Sequence, residues 1–139
     1  VFKNILLAFD GSDHAIKAAR LAKELVECNQ AELWLVVAYD PLPAYLGEPY
    51  IDINMADRLK FAEEILQSGL RELGELSHPL KTEVIEGPPA EAILKVAKTR
   101  KVDLIVMGTR GLGQFVGLLV GSQSQKVVSH ADCPVLLVR

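Results

Sequence analysis

The chain has 139 residues, half of them apolar, with fifteen lysines and arginines against eighteen aspartates and glutamates, a formal charge of −3. That is the size of one ordinary domain, able to bury a core without metals or disulfides. It excludes a strongly basic surface built for nucleic acid, and no run approaches the roughly 18 apolar residues of a membrane span.

The first predicted element is a strand, Ile5-Leu6-Leu7-Ala8-Phe9, apolar on both faces. Residues Val1 to Ala8 read as that strand and its approach, not as a leader, because they reach Asp10 quickly and carry no basic start. A helix follows, with Ala15, Ala19, Ala22 and Val26 at helical spacing, Ile16, Leu21 and Leu25 widening the stripe, and Ser12 or Asp13 as its cap. Residues 33–38 predict a second strand. Asp40 to Tyr50 hold three prolines and read as a semi-rigid flap, with Tyr45 and Tyr50 on it.

Helix two is expected to bury Met55, Leu59, Ala62, Leu66, Leu70 and Leu73, to leave Arg58, Lys60, Glu63 and Glu64 outside, and to end at Gly74. Residues 82–85 predict a weaker strand. Pro88 and Pro89 then open a helix with Ala90, Ile93, Leu94 and Ala97 on one face. Residues 104–107, a helix over Ser122–His130 and a strand over Val135–Val138 complete the series. Strands alternating with helices of this length imply right-handed crossovers, hence an α/β fold: a single doubly wound five-stranded parallel sheet with helices on both faces. A single domain over residues 1–139 is expected, in a soluble, cytoplasmic protein with no nucleic-acid or membrane partner.

Cys28 and Cys133 lack CxxC or Cys/His spacing and read as ordinary buried or half-buried thiols. His14, His78 and His130 are scattered, with neither metal-ligand spacing nor a nucleophile elbow beside them.

In open α/β sheets, ligands bind beyond the carboxyl ends of the strands. Here those ends deliver Phe9-Asp10-Gly11-Ser12, Ala38-Tyr39-Asp40, Glu86-Gly87-Pro88 and Gly108-Thr109-Arg110-Gly111. The last is the most informative, because after nine intervening residues Gly111 is followed by Gly121 and then Ser122-Gln123-Ser124 at a helix start. Glycines let backbone N–H groups approach an anion, and a helix N-terminus offers unpaired donors and a positive dipole end. Ser122 and Ser124 add hydroxyls, and Arg110 adds a charge for an outer phosphate. The alternative is structural: glycines also end strands, and serines also cap helices. GxxxxGK[ST] is absent, and Gly111 and Gly113 are followed by Val116, so neither the P-loop nor the GxGxxG fingerprint is present.

These residues carry a family resemblance. The start Ile5 to Ser12, the segment Gly87 to Ile93, the run Asp103 to Gly111, the pattern GxxGx9G[ST] at Gly108, Gly111, Gly121 and Ser122, and the close Cys133 to Val138 resemble universal stress proteins of the ATP-binding kind, across nearly the whole chain. The resemblance implies strand order 3-2-1-4-5, a Rossmann-like sheet akin to the adenine nucleotide alpha hydrolases. It places adenine near Ala8, Phe9, Val37 and Ala38, held partly by backbone groups, and Asp10 near the ribose or a metal. Met107 and Gly108 would line the nucleotide, Gly111 and Gly121 would close on the phosphates, Ser122 and Ser124 would donate to them, and Gln123 would offer its backbone N–H. ATP is the implied ligand, with ADP or AMP as alternatives and Mg or Mn accompanying the phosphates. A homodimer through Val135–Val138 is implied too, and an apolar edge strand blunted only by Arg139 fits it.

Asp10, Asp13 and Asp40 show no pairing that would activate water, so no catalytic residue is assigned. A nucleotide-dependent stress-response sensor or switch is the expected function. The alternatives are a slow ATPase or nucleotide-dependent transferase on the same site, and a dimeric interaction module that takes no nucleotide.

Overall fold

Strands that are apolar on both faces need cover on both, and the chain supplies it by laying two helices on each side of one sheet. The structure, a computed structural model, describes residues 1–39, 50–110 and 121–139, with backbone only for 50–55. The elements are β1 (Asn4–Ala8), α1 (Asp13–Asn29), β2 (Glu32–Tyr39), α2 (Tyr50–Leu73), β3 (Leu80–Glu86), α3 (Pro89–Thr99), β4 (Leu104–Gly108), α4 (Ser122–His130) and β5 (Val135–Val138). All neighbouring strands pair parallel, in the order β3-β2-β1-β4-β5. The expected architecture and strand order are therefore both present. The flap 40–49, including Asp40 and Tyr45, and the loop 111–120, including Gly111, Gly113 and Val116, lie outside the described residues, as do the side chains of Tyr50 and Met55.

Because successive strand residues alternate sides, one strand feeds two cores. Ile5, Leu7, Phe9, Leu33, Leu35, Val37 and Val106 pack with Ala15, Ala18, Ala19, Ala22 and Val26 of α1 and with Ala62 and Leu73 of α2. Leu6, Ala8, Trp34, Val36, Ile105 and Met107 pack against Ala90, Ile93, Val96 and Ala97 of α3 and Val127 of α4. Central β1 thus has Ile5, Leu6 and Leu7 wholly buried, whereas edge strand β3 leaves Lys81 and Thr82 exposed, which explains its weak apolar signal.

Helix boundaries follow local chemistry. Ser12, not Asp13, caps α1: its Oγ accepts the Ala15 N–H at 3.2 Å. α2 ends where Gly74 takes the left-handed conformation (φ 61) and gives its N–H to the Leu70 carbonyl at 2.9 Å. Pro89 opens α3, where its missing N–H costs nothing.

Two expectations are corrected. Leu59, assigned to the core stripe of α2, is 39% exposed: it shares the helical face of Ala62, Leu66, Leu70 and Leu73 but lies a turn before Ala62, where that face first becomes buried. Cys28 is exposed near the end of α1, and only Cys133 is half-buried: Val26 already fills the buried position of that turn.

Candidate functional site

The carboxyl ends of β1, β2 and β4 open on a cleft of about 460 Å³, within the usual range for small-molecule sites. Ala8, Val36, Ala38 and Met107 form an apolar wall on the sheet, and Phe9 and Asp10 continue it past the end of β1. Gly108, Arg110, Ser122, Gln123 and Ser124 bring in the end of β4 and the start of α4. The cleft therefore gathers residues from opposite ends of the chain, from Ala8 to Ser124.

α4 begins at Gly121, which has extended backbone (φ −67, ψ 157) and no side chain to cap with. Its first ladder bond is from the Gln125 N–H to the Gly121 carbonyl at 3.0 Å, so the N–H groups of Ser122, Gln123 and Ser124 have no partner within the helix. Three donors and a positive dipole end thus sit where the three residues line the cleft, a setting that favours an anion.

Around this helix start the backbone is fastened by Thr109, a buried residue that the sequence reasoning passed over. Its carbonyl accepts the Gly121 N–H at 2.6 Å, its N–H goes to Val138 of β5 at 2.9 Å, and its Oγ1 lies 3.0 Å from Nδ1 of His14. Ser124 belongs to the same fastening. Its hydroxyl is buried and has one hydrogen, directed at the carbonyls of Gly108 (3.0 Å) and Thr109 (3.2 Å). This hydroxyl was expected to serve a phosphate; in this structure its donor is directed at the end of β4, while the Ser124 backbone N–H stays open at the helix start. Ser122, by contrast, is exposed at the mouth.

Gln123 was expected to offer its backbone N–H. Its side chain has a task of its own: Oε1 accepts the Ala90 N–H at 3.0 Å and so satisfies one of the open donors at the start of α3. Gly108 is required by packing, since a Cβ there would stand 2.8 Å from Cβ of His14 and 3.0 Å from its carbonyl carbon. Its small size lets α1 approach β4.

Val37 does not line the cleft. Its side chain is buried in the core beneath α1 and α2. The Val36 carbonyl accepts from Phe9 just beyond β1 and the Tyr39 carbonyl accepts from Gly87 beyond β3, so backbone groups alternate between the two neighbours and those of Val37 point to β3. Ala38 is the residue whose backbone faces the side that β1 vacates after Ala8.

Asp10 makes an Asx turn, Oδ1 accepting the Ser12 N–H at 2.9 Å. Among the described residues no group of three or more His, Cys, Asp or Glu is placed to hold a metal ion. A lone carboxylate at a cleft rim suits a Mg²⁺ whose other ligands are phosphates and water, not an ion held by protein alone. Gly121 is buried behind the cleft wall, and Gly111 lies outside the described residues.

The wall opposite the sheet was not anticipated. Arg58, Phe61, Ala62 and Ile65 of α2 line the cleft at i, i+3, i+4 and i+7, and Pro89 and Ile93 of α3 close another side. The signal was present in α2, which carries more apolar residues than one core face can hold. Phe61 is the surplus, 58% exposed at the mouth.

Comparison with known proteins identifies the family and agrees with the fold. Residues 2–139 match the model of the universal stress protein family. A universal stress protein of Thermus aquaticus, encoded in a QAH/OAS sulfhydrylase 3′ region, is 50% identical over 139 residues, all of both chains. Among solved structures, the universal stress protein UspA of Lactobacillus plantarum superposes with a TM-score of 0.87 at 30% identity, over 99% of this chain and 98% of that one. A universal stress protein solved in complex with cAMP shares the fold, with a TM-score of 0.76 at 24% identity, over 99% and 97% of the two chains. The chain belongs to the universal stress protein family.

Proposed function

We propose that the protein binds an adenine nucleotide, ATP in the first place, and acts as a nucleotide-dependent sensor or switch in a stress response. One observation carries the reading: the uncapped start of α4 opens into a cleft whose opposite wall is apolar. A nucleotide has that division, a flat base and an anionic tail. The base would lie on Ala8, Ala38 and Met107 with Ala38 backbone groups to read its edge, the ribose near Asp10, and the phosphates at Ser122, Gln123 and Ser124 with Arg110 alongside. A relative of the same fold solved with cAMP supports the adenine nucleotide class. Mg²⁺ or Mn²⁺ would join the phosphates beside Asp10.

In the same reading, two chains pair through β5. Support comes from its position at the sheet edge and from Val135, Leu136, Leu137 and Val138, each only half-buried within one chain. Occupancy then biases shape or partner choice by as much as the nucleotide distinguishes two states.

Equilibrium dialysis with ATP, ADP, AMP and cAMP tests the claim, and no binding at millimolar nucleotide ends it. With ATP at about a hundred times its dissociation constant, folding should gain roughly 2.7 kcal/mol, seen as a thermal shift. Sedimentation of the wild type against a Leu136→Lys variant tests the dimer.

A further inference from the structure

At the opposite end of the sheet, the C-terminal ends of α3 and α4 diverge over a second cavity of about 390 Å³ that shares no residue with the first. Its floor is apolar, made of Leu94, Ala97, Val102 and Ile105, all members of the α3/α4 core. Its rim is polar: Lys98, Lys101 and His130, with Asp132 and Cys133 on the β5 side.

The cations are set there by the fold. Lys98 and His130 occupy the last turns of α3 and α4, and the Lys98 ammonium meets the carbonyl end of its helix. Lys101 adopts the left-handed conformation (φ 55) that ends α3, and its side chain shares the rim with Lys98. No carboxylate among the described residues forms an ion pair with either lysine, although three other basic residues, Arg20, Lys81 and Arg100, do have such partners. The His130 tautomer is fixed as well. Its Nδ1 lies 2.9 Å from the Lys126 carbonyl, which only accepts, so Nδ1 carries a hydrogen.

We infer that this cavity binds a small amphipathic carboxylate, its apolar body on Val102, Ile105 and Leu94 and its anionic head between Lys98 and Lys101. An apolar slot alone would admit any greasy molecule; two unpaired ammonium groups on one rim select an anion. Asp132, facing them, keeps the rim from holding a more highly charged ligand such as a polyphosphate. The site is independent of the nucleotide reading.

Cys133 gives the test a built-in reporter, because it lines the cavity and is half-buried, while Cys28 is exposed on α1 and serves as control. The full chain is alkylated with iodoacetamide in the presence of octanoate, octanol or octylammonium, each below its micelle concentration, and the two cysteines are followed separately by mass spectrometry. At about ten times its dissociation constant, an occupant that shields the thiol slows labelling roughly tenfold. Octanoate should therefore slow Cys133 about tenfold and leave Cys28 unchanged, octanol should do so only at much higher concentration, and octylammonium should not protect. The paired Lys98→Glu and Lys101→Glu variant should lose the octanoate effect, with unchanged circular dichroism as the check on folding. Equal protection by all three head groups, protection that survives the double variant, slowing of both cysteines together, or no protection by octanoate would each overturn the inference.

Discussion

Gln123 of α4 accepts the Ala90 N–H of α3 at 3.0 Å, so one helix start is completed by a side chain from the next. Gln123→Ala leaves that donor without its partner in a partly buried place. The expected cost is about 1 kcal/mol, read as a lower urea midpoint with an unchanged slope. ATP affinity should fall less than about tenfold, since Gln123 would meet a phosphate through its backbone. A larger loss of affinity than of stability would move the side chain amide into the binding site.

Gly108→Ala tests packing against binding. The new methyl would press on backbone as well as side chain of His14, which cannot swing away, so destabilisation of about 1–3 kcal/mol is expected. Thermal unfolding without nucleotide is the measurement. Wild-type stability combined with lost ATP binding would show that the glycine is kept for the ligand.

Ser122 and Ser124 should separate cleanly. Ser122→Ala removes an exposed hydroxyl, and with it one charge-assisted bond worth roughly 1.5–3 kcal/mol to a phosphate, weakening ATP by about one to two decades at nearly constant stability. Ser124→Ala removes the donor to the Gly108 and Thr109 carbonyls and should lower stability by about 1 kcal/mol or more. Paired calorimetric titrations and melts of the two variants decide it; the reverse pattern would exchange the roles.

Among the described residues, Glu27 is a contributor to acid stability. The Ser77 N–H, donated to Glu27 at 3.0 Å, holds that carboxyl below the usual carboxylate range, with the Ser77 hydroxyl and the charges of His78 and Lys23 acting the same way. The folded state favours the ionised form, so the stabilisation is present above the unfolded carboxylate value of about 4.3 and is lost as pH falls through the lower folded value. Urea midpoints of wild type and Glu27→Gln should differ at pH 7 and converge in acid. Parallel curves over the whole range would remove Glu27 from the account.

Much of this was readable in the residues alone. The bounds of α4 and β5 and the start of α3 follow from Ser122, the Asp132-Cys133-Pro134 turn and Pro89, because proline, small polar caps and apolar runs act locally. Leu59 and Phe61 were harder. Helical spacing says which residues share a face, but not how far along the helix that face is covered, as for Leu59, nor that a neighbouring face meets a cleft, as for Phe61. Thr109 left no local signal at all: its four roles come from β5, α1 and α4, contacts made only when distant segments meet. The side-chain partners of Ser124 and Gln123, the Gly108 and Thr109 carbonyls and the Ala90 N–H, were likewise invisible until distant segments met.

The close contact between Gly108 and His14 divides the glycine pattern into parts that answer to different selective pressures. A lineage that abandoned its nucleotide would be free to let Ser122 drift, yet any sizeable residue at position 108 would pry α1 from the sheet. Among descendants of such a chain, the first glycine should outlive the function, and the exposed serine should be the first letter to change.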